Sequence, residues 1–226
     1  MKYQLLIFDW DGTLMDSVGR IVSSMQATAA HLALPIPSDT QVRDIIGLSL
    51  EPAIERLFGV LETDRHSQFL ARYRDQYVDL DPTPTPLFNG VREMLTDLRG
   101  QGYQLAVATG KARRGLVRVW QETDTAQYFD VSRCADESIS KPDPRMLFEL
   151  LEETGCDLDK ALMIGDSIHD LRMAQAAGMD RVGVDFGVHS AQQLAAYAPL
   201  AVLSSWQQFP AVLSGERNQE DTACQL

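Results

Sequence analysis

From residue 90 to residue 184 the chain alternates helical patterns of about ten residues with short apolar runs, and few folds accept that order. The pattern predicts helix 90–99, strand 103–109, helix 112–123, strand 130–134, helix 144–154, strand 161–165, helix 168–177 and strand 181–184. A last helix near Ser190–Tyr197 and a short strand near Leu200–Leu203 continue it. Strands that alternate with helices pair in parallel through βαβ crossovers, so an α/β fold with a doubly wound parallel sheet is expected. One more strand stands apart at residues 4–9, where Leu5-Leu6-Ile7-Phe8 is the short continuous run of a strand buried on both faces.

What separates that first strand from the rest is helical. Val18, Ile21, Val22, Met25, Ala29 and Leu32 share one face at the 3.6-residue period, with Asp16 or Ser17 placed to cap its start. Shorter helices are expected around Val42–Ile46, Leu50–Leu57 and Ser67–Val78, with Ser49 as an N-cap and Pro52 in a first turn. The segment Asp81-Pro82-Thr83-Pro84-Thr85-Pro86 cannot continue a helix and makes a stiff connector. Residues 1–15 and 86–213 are therefore expected to form an α/β core, and 16–85 an inserted small α-helical cap. Two crossing points are the minimum for a hinged lid. Residues 214–226 are polar and unpatterned, as in a loose tail.

Charge and cysteine usage narrow the partners. The 226 residues carry 20 basic and 32 acidic side chains, a net charge of −12, so the overall field repels nucleic acid and anionic membranes. Cys134, Cys156 and Cys224 are far apart and form no CxxC pair, which suits a reducing, cytoplasmic location. No run approaches the roughly 18 apolar residues that span a bilayer, so a soluble chain is expected. Oligomeric state is not specified.

Ligands of an open parallel sheet bind at the carboxyl ends of its strands. Those ends carry Asp9-Trp10-Asp11-Gly12-Thr13, Thr109-Gly110-Lys111, the loop Asp136 to Lys141-Pro142, and Gly165-Asp166-Ser167-Ile168-His169-Asp170. Asp9 and Asp11 are two apart and point the same way in extended backbone, so one carboxylate can attack while the other handles protons. Asp166 offers an oxygen ligand to a hard cation, and Mg²⁺ prefers few carboxylates plus water and phosphate oxygens. Thr109, the Gly110 amide and Lys141 are donors for anionic oxygens. A bare turn, helix N-terminal charges or a solvated lysine would explain any one segment, but not four on one sheet edge.

In that order and spacing the four segments resemble the signatures of the haloacid dehalogenase-like superfamily, and the helical insert is similar to its type-1 cap. The whole is similar to phosphoglycolate phosphatase-like and β-phosphoglucomutase-like members, over nearly all of residues 3–205. The resemblance implies that Asp9 attacks phosphorus to give an aspartyl-phosphate, while Asp11 protonates the leaving oxygen and then activates water. It implies Mg²⁺ held by Asp9, the Asp11 carbonyl and Asp166, with Asp170 a further ligand or a partner of Lys141 or of water. Thr109, Gly110 and Lys141 would hold the phosphoryl oxygens, with Gly12, Thr13 and Ser167 in support. The expected activity is a Mg²⁺-dependent phosphatase on a small phosphate ester. Phosphomutase is the alternative, as is a catalytically silent phosphate-binding protein. Asp11 argues against a dehalogenase, and the insert after the first strand argues against a receiver-like domain.

The remaining candidates have plainer readings. His31, His66, His169 and His189 are scattered, and His169 is expected to be exposed rather than a ligand. Lys111, Arg113, Arg114 and Arg118 read as a solvated helix face, with a rim contact to an acidic substrate as the minority reading. Trp10 is expected in the core, and nothing assigns Arg43 a role.

Overall fold

The structure is a computed structural model describing residues 2–215. Strands β1 (Leu5–Phe8), β2 (Gln104–Ala108), β3 (Val131–Arg133), β4 (Ala161–Gly165), β5 (Asp180–Val184) and β6 (Val202–Leu203) form one parallel sheet in the order β3-β2-β1-β4-β5-β6. The order reverses between β1 and β4, the switch point at which such sheets leave a crevice. Register keeps the strand ends level, because Phe8 pairs with both Val107 and Ile164. Whatever follows Phe8, Ala108 and Gly165 is thus delivered to one edge.

Alternate residues of β1 serve opposite faces, as strand geometry requires. Leu6 and Phe8 pack with Leu95, Leu116, Trp206 and Phe209, while Leu5 and Ile7 pack with Met146, Leu150, Met163 and Met173. All four β1 side chains are fully buried, each contributing about 1.5–3 kcal/mol of hydrophobic stabilisation. Trp10 joins the first of these clusters, edge-on to the stacked rings of Trp120 and Phe129, as its spacing predicted.

Helices α1 (Val18–His31), α2 (Asp39–Arg43), α3 (Leu50–Phe58) and α4 (Thr63–Asp75) enclose a third cluster built from Val18, Val22, Met25, Ile54 and Phe69. A π-helical turn, Gln76–Leu80, extends α4 and buries Tyr77 before the proline connector. Helices α5 (Val91–Gly100), α6 (Arg113–Thr123), α7 (Arg145–Thr154), α8 (Ile168–Ala177) and α9 (Ala191–Ala195) follow the alternation. Ser17 occupies the N-cap position of α1, but its hydroxyl makes no capping bond and is given to Asp11 instead. Ser49 precedes α3 likewise without a side-chain cap.

A further short helix, α10 (Phe209–Ser214), starts with a proline in its first turn and was not expected. Ser214, where the tail was expected to begin, closes that helix; residues 216–226, with Cys224, lie outside the described region. No helix among the described residues is long and apolar enough to cross a membrane.

Candidate active site

The sheet edge between β1 and β4 is built by three loop starts. Asp9 donates its amide to the Ile164 carbonyl at 2.9 Å and so extends β1 by one residue. The chain then turns on the Trp10 carbonyl, which accepts from the amides of Thr13, Leu14 and Met15. Gly12 makes the turn with φ +83°, and a Cβ there would lie 2.2 Å from Asp166 Oδ2. Only glycine satisfies both the positive φ and that approach.

Three carboxylates meet in this space. Asp9, Asp166 and Asp170 each place an oxygen within 4.8 Å of the others, and all three are buried. Lys141 enters between two of them, with Nζ 2.8 Å from Asp9 Oδ1 and 2.6 Å from Asp170 Oδ1. The second Asp170 oxygen accepts from the Ser167 hydroxyl at 2.6 Å and the Ser167 amide at 3.1 Å, closing a capping box on α8. Asp166 accepts from the Thr13 hydroxyl at 2.7 Å and the Val188 amide at 2.8 Å. Asp9 Oδ2 is buried without a hydrogen-bond partner.

Electrostatics follow from that crowding. Burial pushes the Asp9 carboxyl up, Lys141 opposes it, and Asp170 and Asp166 push it further. Burial and then Asp170 raise Asp166 to about 7. For Lys141, burial favours the neutral amine, but Asp170 and Asp9 outweigh it and hold the ammonium charged. One lysine cannot balance three buried carboxylates. The excess negative charge, the all-oxygen donor set and the free Asp9 oxygen suit a divalent hard cation.

Asp11 is held beside this group rather than within it. Its Oδ1 accepts from Ser17 at 2.6 Å and its Oδ2 pairs with Lys111 Nζ at 2.9 Å. The Lys111 side chain is only 10% exposed, which corrects the reading of that lysine as part of a solvated helix face. The Lys111 amide also donates to the Thr109 hydroxyl at 3.1 Å, leaving the Thr109 proton free for another acceptor. Gly110 lies against the helical insert: a Cβ would be 2.5 Å from the Leu48 carbonyl.

His169 and His189 are buried, against the expectation of exposure for His169 and of scatter for both. Their rings lie 6.3 Å apart. His169 Nε2 is 2.9 Å from the Asp44 carbonyl oxygen, so this pair joins the insert to the sheet edge. Burial lowers both imidazoles, and neither belongs to the group of possible metal ligands among the described residues. Lys111, Ser17, Val188 and the two histidines are what the sequence reading missed. Lysine is scarce, four in the chain, but that marks Lys111 no more than the other three.

A cavity of about 670 Å³ opens over the site. Asp9 and Asp11 line it with Thr109, Gly110 and Lys111 from the sheet side, and Met25, Leu48, Tyr73 and Tyr77 face them from the insert. Arg43 does not line it. A larger groove of about 1490 Å³ near Trp206 and Asn89 contains none of these carboxylates.

A family model described as haloacid dehalogenase-like hydrolase matches residues 6–184. A Dickeya dadantii protein named "Probable phosphatase IndB" is 36% identical over 89% of this chain and 90% of its own length. A phosphoglycolate phosphatase of Mesorhizobium japonicum is 30% identical over 90% of this chain and 92% of its own. Among solved structures, a Bacteroides fragilis protein assigned to the haloacid dehalogenase-like hydrolases superposes with a TM-score of 0.84 at 27% identity, covering 92% of this chain and all of that one.

Proposed function

The chain belongs to the haloacid dehalogenase-like hydrolases, and from that membership we propose that it is a Mg²⁺-dependent phosphatase of small phosphate esters working through an aspartyl-phosphate. The observation that carries this reading is the buried Asp9 carboxylate, which keeps one oxygen unpartnered at the floor of a cavity while Lys141 holds the other. Two relatives named as phosphatases, matched over about nine-tenths of the chain, support it.

In the first half-reaction Asp9 Oδ2 forms a bond to phosphorus as the ester P–O bond breaks, and Asp11 gives its proton to the departing alcohol oxygen. In the second, Asp11 takes a proton from water, which attacks the same phosphorus; the acyl-phosphate P–O bond breaks, inorganic phosphate leaves and Asp9 is restored. Lys141 and the free Thr109 proton face the phosphoryl oxygens, whose charge they offset. Asp170 fixes Lys141, and Ser167 fixes Asp170. Asp9, Asp166 and the Asp11 carbonyl would hold Mg²⁺, with Asp170 beside them. When bound, the ion supplies positive charge to the oxygens of the transferring group. Residues 16–85 act as the cap that shuts the cavity, and the protein works in the cytoplasm without nucleic acid or membrane partners.

The test is hydrolysis of p-nitrophenyl phosphate by the purified protein. We expect turnover with Mg²⁺, none after EDTA treatment, and a loss on the order of 10⁴-fold or more in Asp9→Asn. Wild-type turnover in Asp9→Asn would refute the nucleophile. With glucose 1-phosphate, release of inorganic phosphate distinguishes the phosphatase from a phosphomutase, which leaves total organic phosphate unchanged.

A further inference from the structure

The cavity over Asp9 is polar at its floor and apolar on the opposite wall. Met25, Ile45, Leu48, Leu70, Tyr73 and Tyr77 of the helical insert line it. Met25, Ile45 and Tyr77 are also buried. Of its charged lining residues outside the catalytic floor, Glu51, Arg74, Arg114 and Asp136 are exposed, and Arg118, paired with Glu122, lies 5.6 Å from the Tyr77 ring. The end of the cavity that receives the alcohol part of an ester is therefore mostly hydrocarbon.

Size points the same way. At roughly 30 Å³ per water-sized group, the nine heavy atoms of a phosphorylated two-carbon acid fill at most about 270 Å³. That leaves more than half of the 670 Å³ empty and sets a carboxylate against an apolar wall. Ligand sites of this volume ordinarily enclose larger, mostly apolar molecules with a few placed polar contacts. Tyr77 belongs to that wall, 7% exposed, with its hydroxyl buried beside Lys111. The Tyr77 ring also lies 5.1 Å from Lys111 Nζ, so the same residue borders both the catalytic floor and the apolar wall.

We infer that the cavity selects phosphate monoesters whose alcohol carries an apolar or aromatic body, with Tyr77 as a specificity-determining residue. This inference rests on the phosphatase reading above for the chemistry, but not for the binding preference. Ethyl, hexyl and 2-phenylethyl phosphate have alcohols of similar acidity, so differences in kcat/KM among them report contacts with the body and not leaving-group reactivity. Hexyl and 2-phenylethyl phosphate should exceed ethyl phosphate and 2-phosphoglycolate by at least tenfold in kcat/KM, in line with what added methylenes contribute in an apolar pocket. In Tyr77→Ala the ratio of 2-phenylethyl to ethyl phosphate should fall toward one.

Equal or better use of 2-phosphoglycolate or ethyl phosphate by the wild type would overturn the inference while leaving the phosphatase reading intact. If no ester is hydrolysed, the phosphatase reading fails, and calorimetry with two stable phosphonates still decides the cavity. Binding of 3-phenylpropylphosphonate at least tenfold tighter than ethylphosphonate supports the inference, and equal affinities overturn it. These measurements on the wild-type chain stand even if Tyr77→Ala fails to fold.

Discussion

Lys111 is held charged in a nearly buried position by the carboxylate it serves. Burial alone favours the neutral amine, but Asp11 outweighs that effect and keeps the ammonium ionised. The pair fixes one Asp11 oxygen while Ser17 fixes the other, so the carboxylate that must reach the ester oxygen has a set direction. A misplacement of about 1 Å in such a group costs as much as a hundredfold in rate. We therefore expect Lys111→Met to lower kcat by 10- to 100-fold, with a smaller change in KM for p-nitrophenyl phosphate. An unchanged kcat in a folded variant would remove Lys111 from the positioning of Asp11. The segments holding Asp9, Lys141 and Asp166 could be read from the chain because each lies next to a strand or helix pattern that fixes its place on the sheet edge. The pairing of Lys111 with Asp11 could not, since a helix start on the surface and one turned toward the β1 loop have the same sequence pattern.

At the scale of elements, the strands and most of the longer helices lie within about two or three residues of where periodicity placed them, α4 starting four residues early, because burial on a sheet face repeats every second residue and on a helix every 3.6. The contacts that fasten the insert to the core have no such period. They include the Ser49 amide donating to Ser140, the Asp44 carbonyl against His169, and the Leu48 carbonyl against Gly110. Each joins segments far apart in the chain through single side chains or bare backbone, which explains why two buried histidines read as scattered ones.

The proline connector is fastened in a similar way. Asp81 accepts from the hydroxyls of Ser23 and Ser24 on α1 and from the Thr83 amide. Burial pushes this carboxyl up, but those hydrogen bonds outweigh it and hold it below its ordinary value. Because the folded value is depressed, the stabilisation is complete above the unfolded value of 3.8 and is lost as pH falls through the folded value beneath it. Asp81→Asn should cost about 1.5–3 kcal/mol at pH 7 by urea unfolding, the usual contribution of hydrogen bonds to a charged group. The gap between wild type and variant should close as pH drops below 3.8. A gap that stays constant across that range would show that the charge of Asp81 does not stabilise the connector.

For the whole molecule, the net charge of −12 has its sharpest consequence at the sheet edge. There Asp9, Asp11, Asp166 and Asp170 outnumber Lys111 and Lys141, their close cationic partners among the described residues, so acidic groups are in excess before any substrate arrives. A phosphate dianion would add about two negative charges, so anion and cation should each favour the binding of the other, reciprocally and by the same factor. Thermal unfolding can measure this coupling. Mg²⁺ at a hundred times its Kd should stabilise the EDTA-treated protein by about 2.7 kcal/mol, roughly 5–10 °C for a chain of this length. Inorganic phosphate alone should shift the midpoint little, and the two together by more than the sum of their separate shifts. Phosphate that stabilises equally with and without Mg²⁺, or an Asp166→Ala variant that keeps the full Mg²⁺ shift, would mean that the buried carboxylates do not bind the cation that the phosphate needs.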